Sequence, residues 1–172
     1  MEFAYQILNP DTYPDVFERM QNDGLLWPFF PELGSKMDVD TFCALYSRPD
    51  LLLLGGFIDG DLAGVLSLCP YRPATRVGEI GLCAFRKSFS DAPRLCVGAL
   101  LWCFDRLDLA ALVGHVPATS HHVMWMLDRV GFRRVVRLPD LMWLDRRGRF
   151  VDGWVVVAER KNVEDASTIM EE

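Results

Sequence analysis

Positive charge is the scarcer sign in this chain. Its 172 residues carry 18 Lys and Arg against 24 Asp and Glu, a formal net charge of −6. That balance argues against general binding to nucleic acid or to an anionic membrane, both of which call for cationic surface. A local basic patch can still hold an anionic cofactor. Histidine is rarer, with three residues, His115, His121 and His122. No H-E-x-x-H occurs, and neighbouring helical positions such as 121 and 122 point about 100° apart, so no metal is expected. The five cysteines, Cys43, Cys69, Cys83, Cys96 and Cys103, contain no C-x-x-C pair. Each lies in an apolar run, where Cys acts as a small hydrophobe, and the expected compartment is reducing and cytoplasmic. No G-x-G-x-x-G follows a strand, which excludes a doubly wound dinucleotide fold. The longest apolar run, Leu95 to Phe104, is too short to span a bilayer. The start, Met-Glu-Phe-Ala-Tyr, has neither the basic nor the apolar part of a signal peptide. Neither repeats nor low-complexity linkers interrupt the chain, and spacing alone supports no Ser-His-Asp or Cys-His constellation.

Against these absences stands an ordinary globular composition, 51% apolar and 24% charged, in a chain long enough to bury about two-thirds of its unfolded surface as one domain. Phe3 to Leu8 reads as a strand. Pro10 to Asn22 reads as a helix with Val16, Phe17 and Met20 on one face and Pro14 in its first turn. The run Leu25 to Gly34 is rich in aromatics, Trp27, Phe29 and Phe30, and its two prolines forbid a regular helix. It is read either as a substrate lid or as a hydrophobic plug, since exposed it would be an aggregation patch. Asp38 to Ser47 is a second helix. Leu51 to Ile58 and Leu62 to Tyr71 form a hairpin across Asp59-Gly60. Glu79 to Phe85 is a central strand, Asp91 to Leu107 a helix covered on nearly every side, Ala111 to Val116 a strand and Ser120 to Val130 a helix. Phe132 to Leu138 and Asp152 to Glu159 are two final strands. Residues 1–161 form the single domain, and 162–172 an acidic tail expected to be disordered. This order predicts an α/β (α+β) fold: a mixed, mostly antiparallel sheet of seven strands flanked by four helices.

Three stretches carry a further signal. Val116-Pro117 ends a strand, and the helix after it closes on Gly131-Phe132. The Asp59-Gly60 hairpin precedes Ala63-Gly64-Val65-Leu66. Arg147-Gly148-Arg149-Phe150-Val151-Asp152 precedes a final apolar strand. In this order they resemble the GNAT acyltransferase superfamily over residues 3 to 161, and the last piece looks like the branch that acetylates N-terminal amines of ribosomal proteins. The resemblance implies that the strands near Glu79–Phe85 and Ala111–Val116 splay at their C-terminal ends and expose backbone groups of Cys83, Ala84 and Phe85 to the pantetheine arm of acetyl-CoA. It implies a diphosphate at the start of the next helix, an anion site by its free N–H groups. In place of the family's Arg/Gln-x-x-Gly-x-Gly/Ala this chain has a glycine-free loop offering Arg86, Lys87, Ser88, Ser90 and Arg94. Ser120 stands where the family often has Asn, and Leu127 where it often has the Tyr that protonates the departing thiolate.

Acyl transfer to an amine needs a base for the amine proton and a donor for the thioester oxygen. Glu79, at the start of the central strand, is the first candidate base, with the alternative of a strand-end charge paired to Arg76. His115, in the neighbouring strand, is a second base or relay, or else a hydrogen-bonded strand histidine. Trp27, Phe29, Phe30 and His121 are candidate acceptor contacts. The resemblance thus implies an acetyl-CoA-dependent N-acetyltransferase for a protein N-terminus or small amine, without metal, nucleic acid or membrane as partner. The other class left open is a non-catalytic binding or assembly module on the same fold. A homodimer is left open as well.

Overall fold

The computed structural model describes residues 1–33 and 36–171, with side chains throughout except at 69–73 and 171. Local signals act where the sequence places them. Pro14 sits in the first turn of α1 (Tyr13–Asn22), where its missing N–H costs nothing, and Tyr13, Val16, Phe17 and Met20 bury one face. The Asp38 carboxylate accepts the Thr41 N–H at 2.7 Å and caps α3 (Val39–Tyr46). Asp59 and Gly60 both take positive φ, 50° and 87°, the backbone of a two-residue hairpin turn. That turn joins β2 (Leu52–Ile58) to β3 (Asp61–Arg72).

With β1 (Phe3–Ile7), β4 (Val77–Ala84), β5 (Ala111–Pro117), β6 (Phe132–Leu144) and β7 (Arg149–Glu159), these strands form one seven-stranded sheet in the order β1-β2-β3-β4-β5-β7-β6. Every neighbouring pair is antiparallel except β4 and β5. The expected fold class is therefore the observed one. Pleating divides the strand residues between two cores. On one face Leu54, Leu66, Leu68, Leu112 and Val156 pack with α4 (Ala92–Leu107) and α5 (His121–Arg129). On the other, Leu53, Val65 and Phe85 pack with α1, α3 and the short α2 (Leu26–Phe29). The charge-free middle of α4 is covered as predicted, with Leu95, Leu100, Cys103 and Phe104 all buried. Among the described residues no helix is long and apolar enough to cross a membrane.

Two expectations need correction. Residues 26–29 do form a helical turn despite Pro28, because the first turn of a helix uses no N–H bonds; Pro31 then ends it. The tail is not frayed. It forms α6 (Arg160–Glu171), with Val163 fully buried, Ala166 7% exposed and Met170 packed against the α4 core. The polar composition hid this stripe of three at helical spacing. Arg160 holds Asp105 of α4 at 2.7 Å and Arg94 donates to the Met170 carbonyl at 3.4 Å. The domain therefore runs through 171.

Gly131 makes this docking possible. Its φ is +95°, and a Cβ there would lie 2.6 Å from the Asn162 carbonyl oxygen. Both the conformation and the contact with backbone exclude a side chain. Gly131→Ala is expected to cost about 3 kcal/mol and to release α6, read as a lowered melting temperature with new protease cleavage after residue 160.

Candidate active site

The β4–β5 pair is short. Val77, Gly78 and Glu79 register with Ala111, Leu112 and Val113, and pairing stops there. β4 continues to Ala84 on its β3 partner, while β5 continues to Pro117 on β7. Each strand is held from its outer side, and a fork opens between them toward their C-terminal ends. The splay that the resemblance implies is present.

Strand alternation decides which backbone groups face the fork. Phe85 N–H donates to the Ala63 carbonyl at 2.8 Å, so odd-numbered β4 residues turn their backbone groups to β3 and Leu82 and Ala84 turn theirs outward. Likewise Ala118 N–H donates to Asp152 at 2.8 Å, which leaves the backbone groups of His115 on the fork side. Of the three expected backbone contacts, Ala84 faces the fork, whereas Cys83 and Phe85 are engaged with β3. Leu82, not among the expected contacts, turns its backbone groups to the fork as well; the register that decides this belongs to the ladder.

Glu79 and His115 come together at the fork. His115 Nδ1 lies 2.9 Å from Glu79 Oε1, with side chains 34% and 48% exposed respectively. Arg76, the alternative partner of Glu79, bonds Asp108 instead at 2.9 Å. The pair therefore joins the two candidate bases across the strands where pairing ends, Glu79 at the last registered position of β4 and His115 two residues past that of β5. A carboxylate accepting from Nδ1–H leaves Nε2 with the lone pair, the tautomer this contact favours.

The aromatic run lies on the same side. Phe29 covers Gly81, where a Cβ would meet its ring at 3.4 Å. Phe30 stacks edge-on with Phe29 at 4.9 Å and with Phe42 at 6.0 Å between ring centres. Trp27 packs against the Met142, Leu144 and Val151 cluster of the β6–β7 hairpin, with the Arg146 guanidinium 5.8 Å from its ring centre. The run is thus a plug that also walls the fork.

The loop after β4 is a 3₁₀ turn, Arg86–Asp91, leading into α4. Arg86 faces α1: its N–H donates to the Asp23 carboxylate at 2.9 Å and its Nε to the Asp23 carbonyl at 3.1 Å. Arg94 is tied to α6, Ser88 is buried and Ser90 donates to Asp91 at 3.1 Å. Lys87 is exposed and has no partner among the described residues. Asp23, missed by the sequence reading, sets this arrangement from 63 residues away. Ser120 precedes α5 without a side-chain capping bond, and His121 is exposed in its first turn. Leu127 is buried in the α5 stripe. Burial pushes the Cys83 thiol up to about 12, the Val65 backbone opposing it weakly, so Cys83 is a poor nucleophile. Among the described residues no group of three or more His, Cys, Asp or Glu side chains gathers as a metal site.

No family model and no curated protein matches the chain in sequence. Solved structures do match it in three dimensions. The spermidine N-acetyltransferase from Vibrio cholerae, in complex with CoA and spermine, superposes with a TM-score of 0.78 at 15% identity, covering 94% of this chain and 98% of that one. A chimera of the Vibrio cholerae enzyme with a segment of hSSAT gives the same TM-score, 0.78, at 15% identity over 96% and 99%. A probable acetyltransferase gives 0.67 at 18% identity over 92% and 93%. The seven-stranded sheet with its forked central pair is the fold of the GNAT acetyltransferases.

Proposed function

We propose that the chain is an acetyl-CoA-dependent N-acetyltransferase acting on a primary amine, a protein N-terminus or a small molecule, by direct attack in a ternary complex. The observation that carries this reading is the Glu79–His115 pair at the mouth of the fork. Acetyl-CoA supplies the activated thioester. The outward backbone groups of Leu82, Ala84 and His115 suit an amide-bearing arm, and an N–H among them would polarise the thioester oxygen. His115 Nε2 takes the amine proton, while Glu79 orients the ring and stabilises its charged form. The new C–N bond forms as the C–S bond breaks and CoA leaves as thiolate. With Leu127 in the acid position, the thiolate takes its proton from water, an undemanding step for a thiol. The fold of the CoA-binding neighbour supports the cofactor, and the free thiols of Cys43, Cys83, Cys96 and Cys103 fit a reducing cytoplasm.

A second reading, a binding module without turnover, draws on the phosphate loop, where Asp23 already occupies the Arg86 N–H. Calorimetry with acetyl-CoA separates the two. Micromolar affinity that weakens about tenfold in Lys87→Ala, the loss of one charge-assisted contact, is the expected result. No heat at millimolar cofactor leaves the binding module.

A further inference from the structure

The β6–β7 hairpin carries six arginines, and they fall into two groups. Those along the strand, Arg133, Arg134 and Arg137, each hold a carboxylate, from Glu159, Asp128 and Asp152. Those at or beside the tip, Arg146, Arg147 and Arg149, are exposed and have no acidic partner among the described residues. In a protein of net charge −6, three unneutralised guanidinium groups on four consecutive positions are an isolated cationic site.

Its place in the fold gives it meaning. Phe29 lies over Gly81, two residues beyond Glu79 on the same strand face. Two residues after Phe29, the Pro31 carbonyl accepts the Asp145 N–H at 3.0 Å. Two residues of chain reach at most about 7 Å. The tip turn Asp145–Arg147 is therefore bound to the aromatic wall of the fork, on the side of the Glu79–His115 pair. Other charged groups on these segments are Glu32, Lys36 and Asp145, the last already engaged, so the tip stays net positive. A second donor lies in the same cluster. The Trp27 indole N–H is buried with no acceptor, and the Arg146 guanidinium stacks over that ring. A buried donor without a partner costs about 1–3 kcal/mol, so this corner of the tip is short of acceptors as well as of negative charge.

We propose that the acceptor side of the fork recognises an amine whose frame also carries a carboxylate or phosphate, with Arg146, Arg147 and Arg149 holding the anion. The amine half rests on the acetyltransferase reading; the anion half stands without it. Arginine suits both anions through its planar fork of donors. A polyamine brings only positive charge to this tip, so spermine, present in the complex of the Vibrio cholerae neighbour, is the wrong kind of acceptor here.

The test compares β-alanine, phosphoethanolamine, ethanolamine and spermidine in two measurements: thiol release from acetyl-CoA, and direct binding followed by tryptophan fluorescence. Anionic amines are expected to exceed ethanolamine by about tenfold or more in kcat/KM and in affinity, and spermidine to fall below it. The Arg147→Glu/Arg149→Glu variant erases the preference and keeps its acetyl-CoA affinity, which also reports that it folds. Which anionic probe leads identifies carboxylate or phosphate. A preference for spermidine, or one that survives the double variant, overturns the proposal. If no amine releases thiol, binding decides: anionic amines held by the native tip and lost in the variant leave the anion site standing and remove the acetyltransferase reading alone, while affinity no better than ethanolamine removes the anion site.

Discussion

His115→Ala is expected to lower kcat by about a hundredfold or more, the usual contribution of a positioned general base, with acetyl-CoA affinity unchanged. The argument is geometric. His115 reaches the fork from β5 and Glu79 from β4, and their 2.9 Å contact spans the opening where the strands separate. Nδ1 is committed to the carboxylate, so Nε2 is the atom available to an incoming amine. Glu79→Gln keeps an acceptor for Nδ1–H and loses the negative charge that stabilises the imidazolium. It should therefore cost less than His115→Ala, again in kcat. Groups acting as a unit are not additive, so the His115→Ala/Glu79→Gln double variant should be no worse than His115→Ala. Full multiplication of the two effects in steady-state kinetics would show that the residues act separately, and an unchanged kcat in His115→Ala would remove the pair from the mechanism.

Folding stability is expected to fall steeply above pH 9. Cys96 and Cys103 lie buried in α4, 7% and 0% exposed. Burial pushes both thiols from 9.0 to about 12, and Cys103 adds to the rise at Cys96. Tyr5, against α4 at Gly98, is raised to about 12 chiefly by burial. A raised folded-state value means that the neutral form is favoured by folding. The associated stability is complete below pH 9, where both states are protonated. It is lost as pH rises toward 12, because the unfolded chain releases its protons first. Each thiol contributes a slope of about 1.4 kcal/mol per pH unit, so the two together remove about 3 kcal/mol per unit in that window. Urea melts at stepped pH should show this decline, and the Cys96→Val/Cys103→Ala variant should make it shallower, with Tyr5 and Cys83 left to contribute the remainder. An equally steep decline in that variant would assign the loss to other groups.

Legibility in the sequence followed the range of the interactions. The Asp59-Gly60 turn, the Pro14 helix start, the helix beginning at Asp38 and the uncharged α4 core all depend on residues within a few positions of one another, and all appear close to where they were read. The short α2 turn escaped because a proline in the first turn was treated as one in the middle. The α6 stripe escaped because Val163, Ala166 and Met170 are diluted by charge, and their partner face on α4 is some 60 residues away. Gly131 was read as a helix end; its close approach to Asn162 is visible only once the tail is docked.

The candidate site divides in the same way. Residue type and strand position, which are properties of the linear pattern, were enough to select Glu79 and His115 and to expect a fork between their strands. Their pairing, the turning of Leu82 rather than Cys83 toward the opening, the capture of Arg86 by Asp23 and the joining of the Arg146–Arg149 tip to the aromatic wall were not contained in that pattern. Each of them depends on ladder register or on a contact between segments tens of residues apart, and such contacts take their geometry from the packed sheet and its two cores rather than from any local preference of the chain.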